Sequence, residues 1–246
     1  MKIELKEDER IDDLEYDNLK IIQNKKEFCF GMDAVLLSDF AKEIKENSRI
    51  LDLGTGTGIL PILLSGKTIN TKIVGIEIQK NMAEMATRSV KLNNLKNRIK
   101  IINEDIKNIN NYFDKYYFDA IVTNPPYKKI NSGLINENEG KLISRHEVKC
   151  NLEDIIIVAK NMLKDKGILY MVHRPERIVD ICELLRKYKI EPKLIKFVYP
   201  KINKEANLVL IKAIKNANKF LRVEKPLIVY KENGEYSDEI LKIYNK

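Results

Sequence analysis

The sequence predicts an α/β fold with a doubly wound, mostly parallel sheet of seven strands and a short N-terminal extension. Short apolar runs typical of strands alternate regularly with longer stretches of helical periodicity. Connections between such elements make successive strands parallel and place helices on both faces of the sheet. We expect residues 1–47 to form the extension, with short strands and a helix packed on the core, and residues 48–246 to form the main domain.

Composition limits the class of protein. The chain has 246 residues, 44% of them hydrophobic, which suits one domain with a sizeable core. A net charge of +8 allows a polyanionic partner such as RNA. No apolar run has the length of a membrane-spanning helix, and the N-terminus is too charged for a signal peptide, so we expect a cytoplasmic protein with no membrane partner. We further expect a monomer or a weak dimer.

Cysteine and histidine do not indicate a metal site. Cys29, Cys150 and Cys182 are isolated in sequence, as is usual for a protein of a reducing compartment. His146 and His173 have no third partner at a spacing typical of metal ligands. We therefore expect no bound metal.

The extension is predicted to contain two short strands and one helix. The strands are expected at Leu19–Gln23 and Glu27–Phe30, joined across residues 24–26. Asp33 can cap a helix over residues 34–44, which leads into the first core strand.

The most distinctive stretch, residues 49–77, predicts a strand, a glycine turn, a helix and a second strand. Glycine stands at every second position of the turn, at Gly54, Gly56 and Gly58, and the helix that follows begins at Ile59. The backbone of such a turn can approach a ligand closely, and a helix N-terminus offers free N–H groups. Glu77 ends the second strand, where a carboxylate suits the two hydroxyls of a ribose.

This turn matches neither common nucleotide fingerprint. In the dinucleotide pattern G-x-G-x-x-G, Ile59 or Pro61 would take the place of the third glycine. No G-x-x-x-x-G-K-[ST] loop is present in the sequence either. Pro61 itself is compatible with a helix that starts at Ile59, because N–H groups in the first turn have no intrahelical partner.

The remaining chain continues the alternation. Further strands are expected at 99–102, 118–123, 168–173, 194–199 and 206–213, and helices at 80–94, 152–163 and 174–188, with a short apolar run at 227–230 and a terminal helix after Ser237. Residues 165–167 are expected to end the second of these helices, and 194–199 and 206–213 to pair as an antiparallel hairpin. The loop 128–150 is long enough to suggest a function.

The carboxyl ends of the strands are expected to form the functional edge, since ligands of open parallel sheets bind there. This rule brings together the glycine turn, Glu77, Asp105 and the motif Asn124-Pro125-Pro126-Tyr127. Asp105 also fits a plain role as a helix N-cap.

The Asn-Pro-Pro-Tyr motif suits an acceptor nitrogen whose lone pair is delocalised. The side-chain oxygen of Asn124 and the carbonyl of Pro125 can accept the two N–H bonds of an amide or an exocyclic base amine. Pro126 stiffens the turn, and Tyr127 offers a flat face to a planar substrate. We predict these four residues to be catalytic, with no strong general base required.

The glycine turn resembles the S-adenosylmethionine (SAM) turn of class I methyltransferases, D/E-x-G-x-G-x-G, over residues 52–58. This resemblance implies a Rossmann-like fold and SAM as cofactor, with S-adenosylhomocysteine as product. By the same resemblance, Asp105 would bind the adenine amine of SAM, Ile106 would pack on that ring, and the segment 28–33 would help to hold the methionine end. The implied cofactor-binding residues are Phe30, Asp33, Asp52, Gly54, Thr55, Gly56, Gly58, Glu77, Ile78, Asp105, Ile106 and Asn124.

The chain as a whole resembles the bacterial methyltransferases that modify adenine N6 just 3′ of the anticodon in a valine tRNA. The narrower resemblance is carried by residues 8–14, 21–24, 28–33 and 145–147, together with the two motifs above. It implies the anticodon stem-loop of tRNA as partner. The basic residues near the active edge predicted to contact RNA are Lys128, Lys129, Arg145, His146, Arg174 and Arg177.

Other substrates remain open, because the motif defines the type of nucleophile and not the substrate. It is shared by methyltransferases of adenine N6 in DNA or RNA and of glutamine in release factors, and close relatives methylate guanine N2 in rRNA. Release-factor enzymes carry a helical domain before the SAM turn, for which this chain has fewer than about fifty residues. Methyltransferases that act on adenine in DNA usually carry a target-recognition domain as well. A non-enzymatic SAM-binding module is the third alternative, against which the intact acceptor motif argues.

Overall fold

The structure is a computed structural model that describes residues 3–26, 31–125 and 151–245. The strands are β1 Glu9–Asp13, β2 Lys20–Asn24, β3 Arg49–Leu53, β4 Lys72–Glu77, β5 Ile99–Asn103, β6 Phe118–Thr123, β7 Leu163–His173, β8 Ile190–Tyr199, β9 Leu208–Lys215, β10 Arg222–Val223 and β11 Leu227–Ile228. The α-helices are α1 Met32–Phe40, α2 Ile59–Lys67, α3 Lys80–Leu92, α4 Leu152–Met162, α5 Ile178–Lys187 and α6 Asp238–Ile243, and 3-10 helices span Ile106–Asn111 and Pro175–Arg177.

The central sheet confirms the predicted fold class. Its strand order is β10-β8-β9-β7-β6-β3-β4-β5, and β11 pairs with β8. Only β9 runs against the other strands, antiparallel to both β7 and β8. The seven strands β3–β9 form the predicted sheet, and β10 and β11 extend it to nine strands in the described part of the chain. These two were not predicted, because a strand of two residues is too short to show a periodic pattern.

Two apolar layers cover the faces of this sheet. In β3, Ile50 belongs to the layer formed with α1, α2 and α6, whereas Leu51 belongs to the layer formed with α4 and α5. Both side chains are fully buried. Alternation along the strand places successive side chains on opposite faces, so a strand buried on both sides is mostly apolar. The helices on both faces make the sheet doubly wound.

The N-terminal segment differs from its prediction in two respects. β2 pairs antiparallel with β1, a strand that was not expected, while Glu27–Phe30 lies outside the described residues. The predicted N-cap role of Asp33 is wrong, because α1 begins earlier, after an extended Gly31, and ends at Phe40 rather than at residue 44. Asp33 lies in the first turn, where its negative charge still favours the helix dipole.

The prediction that residues 165–167 end helix α4 is also wrong. The helix gives way directly to β7 at Leu163, and residues 165–167 form an irregularity within that strand. Lys166 has a φ of 57° there. A Cβ atom at Gly167 would lie 3.0 Å from the carbonyl oxygen of Lys164 and 3.2 Å from that of Asp119. The glycine therefore permits a bulge inside the strand and does not end the helix.

A partly buried ion-pair cluster fastens the β1–β2 hairpin to α3. The Nη1 and Nη2 atoms of Arg88 donate to the two carboxylate oxygens of Glu9 at 2.6 and 2.5 Å, and its Nε donates to Glu84 at 2.7 Å. The side chain of Glu9 is only 2% exposed and that of Arg88 12%. Hydrogen bonding from Arg88 lowers the pKa of Glu84 to about 2. The cluster joins the extension to the main domain.

Replacing Arg88 with alanine should lower the free energy of unfolding by about 3 kcal/mol, because the Glu9 carboxylate would lose both guanidinium bonds and keep, among the described residues, only the N–H of Lys6 as a hydrogen-bond partner. Chemical denaturation measures this change. The control is Arg10→Ala on the same hairpin, which breaks an ion pair with Asp12 in which the arginine side chain is 47% exposed. We expect that variant to change stability by less than about 1 kcal/mol. Equal losses in the two variants would contradict the role given to the cluster.

Candidate active site

Four parallel strands end side by side at the carboxyl edge of the sheet. Leu53, the last residue of β3, is level with Ile76 of β4 and with Thr123 of β6. On the outer side, Glu77 of β4 pairs with Asn103 of β5. The segments that follow these strands therefore lie at one edge, as predicted.

The glycine turn after β3 is left-handed at each of its glycines. The φ angles of Gly54, Gly56 and Gly58 are 72°, 55° and 86°. The N–H groups of Gly54 and Thr55 both donate to the carbonyl of Ile76 at 3.0 Å, which ties the turn to β4. A Cβ atom at Gly54 or Gly56 would meet no atom within 4 Å. The turn thus leaves open space beside its backbone, as close approach of a ligand requires.

The third glycine has a different role, because Gly58 faces α3. A Cβ atom there would lie 3.1 Å from the Cβ of Ala86. Gly58 precedes the first residue of α2, and its carbonyl accepts from the N–H of Ile62 at 3.2 Å. The helix begins at Ile59 with Pro61 in its first turn, as predicted. Gly58 therefore permits close packing of the turn against α3.

Gly75 is a site residue that the sequence analysis missed. It lies in β4 beneath the glycine turn, and a Cβ atom there would lie only 2.7 Å from Oγ1 and 2.9 Å from Cβ of Thr55. The side chain of Thr55 thus packs directly over Gly75, which fixes the height of the turn above the sheet. A glycine inside an apolar strand was the available signal, since it marks close approach of another chain segment.

Glu77 links the turn to the end of β4. Its Oε2 accepts from the N–H of Gly56 at 3.0 Å, and its Oε1 accepts from the N–H of Gln79 at 2.9 Å. Asn103 donates to the carbonyls of Glu77 and Ile78 at 2.8 and 3.1 Å and so holds the following segment. Each carboxylate oxygen keeps further acceptor capacity. The arrangement presents a fixed carboxylate beside the open turn, which suits a pair of ribose hydroxyls.

Asp52 lies beneath the turn and is fully buried. Within the described residues, no hydrogen bond of good geometry reaches its carboxylate oxygens or the Thr55 hydroxyl oxygen, although that hydroxyl lies close enough to Asp52 to lower its pKa. Burial, with a smaller contribution from the charge of Glu77, raises the pKa of Asp52 to about 7 against the opposing effect of the nearby Thr55. Unpartnered buried polar atoms are rare in folded proteins and indicate a functional site. Together with the open turn, they fit a polar ligand seated here.

The raised pKa of Asp52 predicts a specific pH dependence of stability. Between about pH 4 and 7 the folded protein holds a proton that the unfolded chain releases, so the free energy of unfolding falls as pH rises. Asp52→Asn removes this titration. Relative to wild type, the variant should gain up to about 4 kcal/mol between pH 4 and pH 8. Urea denaturation of the ligand-free protein tests this, and a wild-type-to-variant difference that is constant across this range would contradict it.

Asp105 takes the geometry of an N-cap. Its Oδ1 accepts from the N–H of Lys107 at 2.9 Å at the start of the 3-10 helix, while Ile106 is buried behind it. Its Oδ2 lies 3.6 Å from Nζ of Lys107. The capping role is therefore present. The contact of Asp105 and Ile106 with the adenine of SAM stays a prediction. The position of these residues at the end of β5 suits such a contact.

The acceptor motif begins directly after β6. Thr123 ends that strand, and its hydroxyl donates to the carbonyl of Leu53 at 3.1 Å, which holds the ends of β3 and β6 together. Asn124 is half-buried and Pro125 is buried at this junction. Pro126 and Tyr127 lie outside the described residues. The described half of the motif is thus next to the glycine turn.

Strand β7 ends beside the acceptor motif with a buried histidine. Burial lowers the pKa of His173 to about 4, and the cation of Arg177 adds to the effect. Its Nδ1 accepts from the N–H of Arg174 at 2.8 Å. The ring is therefore neutral at physiological pH, with its remaining hydrogen on Nε2.

The two described arginines of the predicted RNA contact have intramolecular partners. Arg174 donates from Nη1 to the carbonyl of Asn207 at 3.0 Å, and Arg177 donates from Nε to Asp180 at 2.8 Å. Both guanidinium groups have donors beyond these bonds. Their contact with RNA stays a prediction. The other predicted residues outside the described part of the chain are Phe30, Lys128, Lys129, Arg145 and His146.

Two searches of the described residues bear on membranes and metals. Within residues 3–26, 31–125 and 151–245, no helix combines the length and apolar character needed to cross a bilayer. The same ranges contain no group of three or more histidine, cysteine, aspartate or glutamate side chains arranged to hold a metal ion.

Comparison with known proteins identifies the protein family. The model of the methyltransferase small domain family matches residues 26–188, more than half of the chain. A tRNA1(Val) (adenine(37)-N6)-methyltransferase from Porphyromonas gingivalis is 28% identical over 220 residues, covering 87% of this chain and 86% of that protein. A protein of the same name from Aliivibrio salmonicida is 26% identical over 215 residues, covering 86% of each chain.

Solved structures share the fold. A protein from Agrobacterium tumefaciens, described as a predicted O-methyltransferase, superposes with a TM-score of 0.71 at 23% identity and covers 87% of this chain and 96% of that one. Geranyl diphosphate C-methyltransferase from Streptomyces coelicolor, in complex with S-adenosyl-L-homocysteine, gives a TM-score of 0.54 at 12% identity, covering 74% and 76%. The chain therefore belongs to the methyltransferase small domain family, and it is a methyltransferase that depends on SAM.

Proposed function

We propose that this protein transfers the methyl group of SAM to the exocyclic N6 amine of an adenine in tRNA, at the base 3′ of the anticodon in a valine tRNA. The observation that carries the proposal is the position of Asn124. It follows β6 directly, next to the glycine turn that follows β3. The predicted acceptor group and the predicted donor site therefore share one edge.

The cofactor would be held by the residues that the geometry makes available. The open backbone at Gly54 and Gly56 would accommodate its close approach, and Glu77 would accept hydrogen bonds from ribose hydroxyls. Asp105 and Ile106 would take the adenine, and Phe30 and Asp33 the methionine end. SAM supplies an electrophilic methyl group on a sulfonium centre.

On the side of the methyl acceptor, the reaction needs hydrogen-bond acceptors for the amine more than it needs a general base. The Asn124 side-chain oxygen and the Pro125 carbonyl would each accept one N–H of the amine, which holds its lone pair out of conjugation and stabilises the charge that develops on nitrogen. Proline has no N–H to compete for these acceptors. His173 at the end of β7 is neutral and adds no charge to this environment. Tyr127 would offer a flat face to the extracted base.

The choice of tRNA rests on the relatives and on charge. Proteins named for adenine-N6 methylation of tRNA1(Val) match this chain over 86–87% of its length. The net charge of +8 favours a polyanionic substrate. An unpaired base in a loop is easier to extract than one in a duplex. We place the reaction in the cytoplasm, where isolated cysteines stay reduced.

The test offers the purified protein methyl-labelled SAM with bulk tRNA, rRNA or release factor from cells that lack this gene. The proposal expects label in the tRNA alone. Label in release-factor glutamine or in rRNA would overturn the substrate while keeping the methyltransferase assignment. SAM binding without transfer to any of the three would favour a binding module.

A further inference from the structure

At the outer edge of the sheet, an exposed aromatic side chain lies among basic side chains. We call this surface the β10 patch and define it as Lys189, Lys193, Lys219, Phe220, Arg222 and Val223. Phe220 is 71% exposed and Val223 58%. Both side chains belong to one short exposed segment that carries basic residues, a combination that suits a binding surface.

The charges around Phe220 are mostly of one sign. Segment 216–225 contains three basic residues and a single acid, Glu224, which lies 3.7 Å from Arg222. Lys193 reaches across from β8, with its Nζ 5.6 Å from the centre of the Phe220 ring, and donates to the carbonyl of Asn218 at 3.1 Å. Lys219 is exposed next to Phe220 in sequence, and Lys189, also exposed, accepts at its carbonyl from the N–H of Asn216 at the start of this segment. The patch therefore combines a flat apolar face with a surplus of positive charge.

The patch is separate from the candidate active site. β10 pairs with β8, on the outer side of the strand order β6-β7-β9-β8-β10. Four strand spacings lie between β6 and β10, which is about 19 Å. A ligand that touches both the acceptor motif and this patch must be long.

The chemistry of the patch favours a nucleic acid over a second copy of the chain. Pairing two copies through β10 would bring their lysines and arginines together, and like charges repel. RNA instead supplies phosphates for the cations and bases or sugars for the exposed ring. We propose that the β10 patch binds RNA, at nucleotides remote from the methylated base. That the RNA is the tRNA substrate rests on the proposed function.

The test compares two double variants with the same change in charge. Lys219→Glu with Arg222→Glu alters the patch, whereas Lys96→Glu with Lys100→Glu alters exposed residues at the opposite edge of the sheet, near and in β5. Fluorescence anisotropy measures binding of full-length tRNA at several salt concentrations. The patch variant should bind at least about tenfold more weakly, with a salt slope smaller by about 1.5, and the control should stay within about threefold of wild type.

Phe220→Leu isolates the aromatic face and keeps the test valid should the charge variant not fold. It should weaken binding about fivefold with an unchanged salt slope. Equal weakening by the two double variants, or wild-type affinity in both patch variants, would overturn the inference. The readout is independent of methyl transfer. Wild-type affinity in both patch variants refutes this inference alone, and an absence of N6-methyladenine refutes the proposed function alone.

Discussion

Replacing Asn124 with alanine should lower the rate of methyl transfer at least about a hundredfold, a much larger change than the change in SAM affinity. The substitution removes a side chain that directly follows β6, on the acceptor side of the functional edge. The glycine turn, which is expected to bind SAM, follows the neighbouring strand β3. Removing one preorganised hydrogen-bond partner of a charge that develops in the transition state typically lowers kcat by about 100- to 1000-fold. Single-turnover transfer from labelled SAM and calorimetric SAM titration measure the two quantities separately.

Asn124→Asp is the matched control, because it keeps a side-chain oxygen at the same position. We expect it to retain clearly more activity than the alanine variant. Equal activity of the alanine variant and wild type would refute the assigned role. A loss of SAM affinity as large as the loss of rate would show instead that Asn124 acts mainly through the cofactor site.

Gly56→Val should abolish most SAM binding without unfolding the protein. A side chain at this position would enter the open space beside the turn, where a Cβ atom meets no protein atom within 4 Å. We expect SAM affinity to fall at least about tenfold. Because φ is 55° at this residue, the substitution should also lower stability by about 1–2 kcal/mol.

Gly234→Val separates these two effects. Gly234 has a φ of 90° and equally open surroundings, but it lies in the turn between β11 and α6, away from the glycine turn. We expect a similar loss of stability with normal SAM affinity. Normal SAM affinity in the Gly56 variant would contradict the assignment of the turn to the cofactor.

Much of the fold could be predicted because its strands are apolar and its turns carry strong signals. β6 has the bounds that the pattern at 118–123 predicted, and α2 starts at Ile59 after the glycine turn. Parallel strands with both faces buried are continuous apolar runs, and these are the easiest strands to recognise. The convergence of the glycine turn, Glu77 and Asn124 followed from the rule that such sheets bind ligands at their carboxyl edge.

Features that depend on tertiary contacts could not be predicted in the same way. β1 is polar at most positions and is stabilised by pairing with β2 and by the ion pair of Glu9 with Arg88. The bulge at 165–167 carries the composition of a helix stop, and only its pairing in the sheet shows otherwise. The contact of Thr55 with Gly75 joins the glycine turn to strand β4. Local sequence patterns do not contain such information.

The most direct test of the central claim is the identity of the methylated base. Valine tRNA transcribed without modifications would be incubated with the protein and SAM, digested to nucleosides and analysed by mass spectrometry. A second transcript would carry guanine instead of adenine at the base 3′ of the anticodon. The account predicts N6-methyladenine in the first transcript and none in the second. Equal N6-methyladenine in both transcripts, or none in either, would contradict it.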